Sequence, residues 1–178
     1  LIHFMRFIKE LKKENCKVLV QCSEEAQTLI DNHKWIDKAV AADEFPEHDF
    51  YIPIGSFMNV LKYNPNHHEQ TFPYIEVGTT KMTKKEKDQV NIGLVFETDR
   101  NSSSHDDESI EPRLFRNIFN KEHNVICLDK HVSSETLPEY CSKCLSYSNL
   151  QELSNVISEL DLIITVDHLV AHLAGALD

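Results

Sequence analysis

The sequence predicts an α/β fold in which a parallel sheet is covered by helices. Segments with helical periodicity alternate along the chain with short β-branched runs, which is the pattern of strands joined by helical connections. The chain has 178 residues, of which 41% are apolar and 26% charged, so it can form a packed core and is not expected to be disordered. This length allows one ordinary domain or two small ones.

The first half of the chain predicts two helices and three strands. Residues 1–11 place Phe4, Phe7, Ile8 and Leu11 on one stripe, as in an amphipathic helix. Ser23, followed by two glutamates, has the composition of a helix N-cap and first turn. The runs that predict strands are 16–22, 38–42 and 50–54.

A polar segment divides the chain. Lys, Thr and Glu dominate it, so we place a first domain at 1–78, a linker at 79–90 and a second domain at 91–178. In the second domain the alternation restarts. The predicted strands are 91–96, 123–128 and 162–166, and the predicted helices are 112–119, 149–160 and 168–177.

The charge of the chain excludes several partners. Eighteen Lys and Arg against 29 Asp and Glu give a net charge of −11, which argues against a nucleic-acid surface and against a stable contact with anionic membranes. The longest apolar stretches are far shorter than the roughly 20 residues that span a bilayer. Five cysteines without framework spacing indicate reduced thiols, so we predict a cytoplasmic protein.

Glycine and cysteine spacing exclude two further kinds of site. The four glycines spell neither the G-x-G-x-x-G fingerprint nor a P-loop, so dinucleotide oxidoreductases and P-loop nucleotidases are ruled out. Cys141 and Cys144 form a lone C-x-x-C without further ligands at zinc spacing, so we interpret them as incidental thiols. We therefore predict neither a metal site nor a cofactor.

The most informative segment is 161–177. An apolar strand ends in Asp167, and a helix follows at once with His168 and His172 one turn apart. In open α/β sheets, ligands bind outside the carboxyl ends of strands, where helix N-termini present N–H groups to anions. Two interpretations stay open: Asp167 contacts a ligand, or Asp167 only caps the helix and His172 is a partly buried structural side chain.

This segment, DLIITVDHLVAHLAGAL, resembles the nucleotide-sugar-binding strand and helix of the lipopolysaccharide heptosyltransferase-like enzymes of glycosyltransferase family 9. It is most similar to the branch attached to bacterial tetratricopeptide-repeat proteins. LIHFMRFIKEL, residues 49–56 and NIGLVFET resemble further elements of that branch in the same order.

The resemblance implies a GT-B architecture, in which two Rossmann-like units face a cleft. Such enzymes bind a nucleotide-diphosphate sugar on the C-terminal unit and an acceptor, a glycan or a protein, on the N-terminal unit, without a required metal. Asp167 and His168 would contact the donor nucleotide or diphosphate, and His172 would support that pocket. Glu97 and Thr98 would border the phosphates.

On the acceptor side, His3 and Arg6 lie on the first predicted helix. They are cleft residues by this resemblance, whereas Arg6 alone could also be a solvated helix charge. The family's first strand and the Gly-Asp that carries the base would precede Leu1, and further strands would follow Asp178. We therefore expect a fragment in which both units are truncated.

Three positions depart from the family pattern. Thr98 stands where the family usually has Gly, Glu108 where it has Arg, and His168 where it has a small hydroxyl residue. Two functions follow. The chain is a glycosyltransferase acting on a nucleotide-diphosphate sugar, or it is a catalytically inactive GT-B-like interaction module attached to upstream helical repeats.

Overall fold

The computed structural model describes residues 1–12, 15–64, 72–77, 89–98 and 109–177. The chain divides into two compact units. Unit 1 comprises Leu1–Val77, Asn149–Gln151 and Ala176–Asp178, and unit 2 comprises Gly78–Ser148 and Glu152–Gly175. Two short segments of the predicted second domain thus belong to unit 1. Of the predicted linker, residues 79–88 lie outside the described part, and Val90 already opens a strand.

Unit 1 is a β-α-β arrangement preceded by a helical turn. Strands β1 (Leu19–Cys22) and β2 (Lys38–Ala41) pair in parallel, and α2 (Glu24–Asp31) connects them. Apolar side chains of α2 at Ala26, Leu29 and Ile30 are buried, which accounts for its packing on the strands.

The first predicted helix forms with a different geometry. Ile2–Phe7 is a 3₁₀ helix that continues into α1 (Ile8–Lys12). Ile2, Met5 and Ile8 are buried, and a spacing of three residues is the period at which side chains align in a 3₁₀ helix. The buried stripe is therefore Ile2, Met5 and Ile8. Phe4, which the sequence predicted to lie on the apolar stripe, is only half-buried.

The strand predicted at 50–54 is wrong. Pro53 has no N–H to donate to a sheet, and its carbonyl instead accepts a hydrogen bond from Ser56 N at 2.8 Å. The result is a 3₁₀ turn at Ile54–Ser56 followed by α3 (Phe57–Val60). Among the described residues, no strand pairs with the backbone of residues 50–53, and the side chains of Phe50 and Tyr51 are exposed.

Unit 1 also contains a buried histidine. His33 is 7% exposed, its Nε2–H donates to the Tyr74 carbonyl at 2.8 Å, and its Nδ1 accepts from Trp35 N at 3.3 Å. The second bond requires an unprotonated Nδ1, so the pair of bonds holds the neutral ring. Burial lowers the pKa of His33, and the bond to Tyr74 offsets part of that effect.

Unit 2 is built on a four-stranded sheet in which all pairings are parallel. The strands are β3 (Val90–Val95), β4 (His123–Cys127), β5 (Cys141–Cys144) and β6 (Leu162–Thr165). Their spatial order is β5-β4-β3-β6, so the first strand of the unit lies between the second and the fourth. This is the order 3-2-1-4 of Rossmann-like sheets. The predicted α/β fold with parallel sheets is confirmed.

Helices precede and follow β6. These are α4 (Leu150–Ile157) and α5 (Leu169–Leu177), close to the predicted segments. The segment predicted as a helix at 112–119 forms only a 3₁₀ turn at Pro112–Phe115. Among the described residues, no helix has both the length and the apolar character needed to cross a bilayer.

The sequence analysis missed β5, which consists of the C-x-x-C segment itself. Cys141 and Cys127 belong to an apolar cluster of unit 2 together with Leu94, Phe96, Phe115 and Val125. Burial raises the pKa of Cys141 to about 12, so its thiol stays protonated at neutral pH.

Gly93 permits close packing of the central strand. A Cβ at this position would lie 2.6 Å from Ile163 Cδ1, 2.7 Å from Leu160 Cδ1 and 2.9 Å from Leu128 Cδ1. All three distances are shorter than van der Waals contact, so three apolar side chains would have to move together.

We expect Gly93→Ala to lower the free energy of unfolding by about 1–3 kcal/mol through overpacking. Gly175→Ala is the matched control, because no atom lies within 4 Å of its Cβ position and α5 gains a better helix former. Denaturant melts of both variants check this. Equal stability of the two variants would contradict the packing described for β3.

His33 should make stability depend on pH. Its pKa in the folded chain lies below the unfolded value of about 6.5, so the unfolded state binds more protons between the two values. The contribution of neutral His33 to the free energy of unfolding is therefore fully present above a pH of about 6.5. It is lost as the pH falls from there towards the pKa of the folded chain. We expect His33→Gln to flatten this slope in melting curves. A slope that His33→Gln does not alter would contradict the assignment.

Candidate functional site

The candidate site is the carboxyl edge of β3 and β6. Val95 pairs with Thr165 at the last register position, and Val166 N donates to the Val95 carbonyl at 3.2 Å. Beyond this pair, Glu97 and Thr98 continue from one strand and Asp167 and His168 from its neighbour. The structure thus brings four of the residues predicted from the sequence to adjoining strand ends.

This edge is the topological switch point of the sheet. The chain leaves β3 for β4 on one side, continues to β5, and then crosses to β6 on the other side of β3, so its direction along the sheet reverses next to β3. Open α/β sheets bind ligands in the crevice that this reversal creates. The location therefore favours ligand binding independently of any residue identity.

His168 caps the helix that follows β6. Its Nδ1 accepts a hydrogen bond from Val170 N at 3.2 Å, and its carbonyl accepts one from Ala171 N at 3.0 Å. These bonds satisfy two N–H groups in the first turn of α5 that have no partner within the helix. The cap is thus an imidazole where a hydroxyl or carboxylate side chain is more usual.

Asp167 does not cap α5. Its carboxylate is exposed, and in the described part of the chain no group donates a hydrogen bond to it. Of the two interpretations that the sequence left open, the capping one is wrong for Asp167. An exposed carboxylate at a switch point is suited to accept hydrogen bonds from ligand hydroxyl or amino groups.

His172 lies on the exposed side of α5. The buried side of that helix is formed by Val170, Leu173 and Ala176. The interpretation of His172 as a partly buried structural side chain is therefore wrong, and its ring is accessible one turn beyond the cap.

Asp129 is a residue of this edge that the sequence analysis missed. It follows β4 and is 3% exposed, and its two carboxylate oxygens accept hydrogen bonds from Phe96 N and Glu97 N, each at 3.1 Å. Burial raises the pKa of the Asp129 carboxyl, and the two N–H bonds counteract part of that rise. The signal was present in the sequence, because Asp129 follows a predicted strand just as Asp167 does.

Thr98 is fixed inside unit 2. It is 8% exposed, its N–H donates to Ser109 Oγ at 3.0 Å, and its hydroxyl lies 3.1 Å from the same oxygen. Thr98 thus anchors the turn after β3 to the chain near Ser109. Glu97 is half-buried beside it. Glu108, one of the departures from the family pattern, lies outside the described residues.

The residues expected on the acceptor side lie in unit 1 and contact each other. Arg6 Nε donates to the His3 carbonyl at 2.9 Å, and Arg6 Nη2 donates to His3 Nδ1 at 2.8 Å. The guanidinium also lies 5.1 Å from the ring centroid of Tyr74, a cation–π distance. Arg6 is half-buried, and its bonds to His3 lie within the first helical segment.

Within the described ranges, no three His, Cys, Asp or Glu side chains are grouped in a way that could hold a metal ion. No protein-family model, curated protein or solved structure matches this chain.

The different roles of Asp167 and His168 can be separated by mutation. We expect His168→Ala to destabilise unit 2 by about 1 kcal/mol, because Val170 N loses its acceptor. Asp167→Ala should change stability by less than about 0.5 kcal/mol, since its carboxylate is exposed. Thermal and urea melts of the two variants measure this. A reversed order would show that Asp167 carries the cap.

Proposed function

We propose that this chain binds a nucleotide-diphosphate sugar at the carboxyl edge of β3 and β6 and acts as a metal-independent glycosyltransferase. The observation that carries the proposal is the exposed carboxylate of Asp167 at the switch point of a Rossmann-like sheet. The resemblance of 161–177 to the donor-binding segment of glycosyltransferase family 9 supports the same location.

The chemistry of such a transfer fits this edge. The leaving diphosphate needs positive potential, which the N-terminal turn of the nine-residue helix α5 supplies through its dipole. The Asp167 carboxylate accepts hydrogen bonds from hydroxyl groups of the ribose or of the sugar. His168 holds the first turn of α5 in place. The neighbouring residues Asp167 and His168 thus serve the ligand site and the helix cap, respectively.

In this proposal the two units correspond to the two Rossmann-like units of a GT-B enzyme, and unit 1 binds the acceptor, a glycan or a protein. The contact between Arg6 and His3 supports that role, because it holds a cation in a fixed position on the first helical segment. A fixed cation with an aromatic neighbour suits an acceptor that carries hydroxyl or anionic groups.

One observation favours the second candidate function, a catalytically inactive interaction module. Phe45, Phe50 and Tyr51 are 84%, 90% and 72% exposed in unit 1. Aromatic side chains this exposed are enriched where proteins bind other proteins. The two functions differ in whether the carboxyl edge of unit 2 binds a nucleotide.

A thermal-shift titration with ADP, GDP, UDP and their sugar conjugates tests the proposal. A ligand that binds only the folded chain raises the melting temperature in a saturable way. We expect one nucleotide to do so, and we expect Asp167→Ala to weaken its binding at least about tenfold, since a hydrogen bond to a charged group is lost.

Asp43→Ala is the matched control, because it removes an equally exposed carboxylate from unit 1. It should leave the nucleotide affinity unchanged. The absence of any shift across the panel, in a protein that melts cooperatively, would overturn the transferase proposal and favour the interaction module. Equal affinities of the wild type and Asp167→Ala would remove Asp167 from the site.

A further inference from the structure

The turn after β3 uses three consecutive backbone N–H groups for bonds to side chains of the same unit. Phe96 N and Glu97 N donate to the two oxygens of Asp129, and Thr98 N donates to Ser109 Oγ. In the described part of this turn, the N–H groups of Phe96, Glu97 and Thr98 are therefore already bound.

Successive backbone N–H groups that converge on one anion are what phosphate-binding loops provide. In sheets of this strand order, the turn after the first strand is the usual place for a ligand phosphate. Here Asp129 supplies the anion, with one oxygen 3.1 Å from each nitrogen. A carboxylate of the protein thus occupies the position that a phosphate oxygen would take.

Asp129 is held firmly in this position. Leu128, the residue before Asp129, still pairs with β3, since Leu128 N donates to the Leu94 carbonyl at 2.9 Å. The Cys127 thiol lies 3.6 Å from one carboxylate oxygen, within hydrogen-bonding distance for sulfur. With 3% of its surface exposed, the side chain has little freedom to make room for a ligand anion.

We propose that Asp129 is a built-in anion that excludes phosphate from the β3 side of the site. The ligand phosphates then lie near the N-terminal turn of α5, where the helix dipole attracts them although Val170 N already donates to His168 Nδ1. The turn after β3 receives an uncharged, hydroxyl-bearing part of the ligand. This inference rests on the proposed nucleotide-sugar site for the ligand's identity, but the role of Asp129 as an anion can be tested without any nucleotide.

Formate is the probe, because it carries the same carboxylate as Asp129 and is small enough for the space that the CH2–COO⁻ group leaves in Asp129→Gly. In this variant the two vacated N–H groups should bind formate, and the melting temperature should rise in a saturable way. We expect a rise on the order of 5 °C at a formate concentration about ten times its Kd, relative to chloride at equal ionic strength. The wild type should show no such difference between formate and chloride.

Two variants serve as matched controls. Asp129→Asn fills the same space and leaves formate no room, so formate should not raise its melting temperature above that in chloride. Asp161→Gly removes a carboxylate that accepts the Asn91 N–H at 2.9 Å at the amino end of β3. This variant leaves Asp129 and the turn after β3 intact, so it too should not respond to formate.

Failure of Asp129→Gly to gain stability in formate, including failure to fold at any formate concentration, would overturn the inference. So would an equal response of Asp129→Asn, because a general salt effect would then explain the rise.

The position of the phosphates is read from amide resonances of the ¹⁵N-labelled wild type with the nucleoside diphosphate that binds best. We expect the Leu169 and Val170 amides to shift on binding and the Phe96 and Glu97 amides to shift little. Large shifts of Phe96 and Glu97 alone would overturn the inference while leaving the proposed function intact. A formate response without binding of any nucleotide would support the anion role of Asp129 and contradict the proposed function.

Discussion

The parallel pairing of β3 with both β4 and β6 is the constraint on which the rest of unit 2 depends. It places the ends of three strands at one edge, and so brings Glu97, Asp129 and Asp167 to that edge from distant parts of the sequence. Close packing around β3 is possible because Gly93 has no Cβ, which three apolar side chains would otherwise contact. The candidate site is thus a consequence of strand order, and strand order is maintained by the packing of a single buried strand.

Sequence periodicity predicted three of the four strands of this sheet. The apolar runs around Ile92 and Val125 became the central strands β3 and β4, because central parallel strands are apolar on both faces, and the apolar run around Ile163 became the edge strand β6. The carboxylate of Asp167 was predicted at a strand end from the same reasoning. That His168, and not Asp167, caps α5 could not be predicted, because an imidazole cap has no common sequence signature.

Other features depend on long-range contacts that a single sequence does not display. Cys141–Cys144 is too short and too polar to suggest a strand, and it pairs only because β4 offers an open edge. Asp129 binds Phe96 and Glu97, which are more than thirty residues away, so its role becomes visible only when the strands are assembled. In residues 50–54 the aromatic and β-branched composition favoured a strand, but Pro53 removes one donor and its carbonyl closes a turn instead.

Hydrogen–deuterium exchange with the nucleotide-diphosphate sugars tests most directly whether the carboxyl edge of unit 2 is a ligand site. We expect slower exchange at saturating ligand in peptides that cover residues 166–171, and unchanged exchange at the amino ends of the same strands, around Val90 and Leu162. Protection confined to the amino ends or to unit 1, or no protection by any of these ligands, would contradict it.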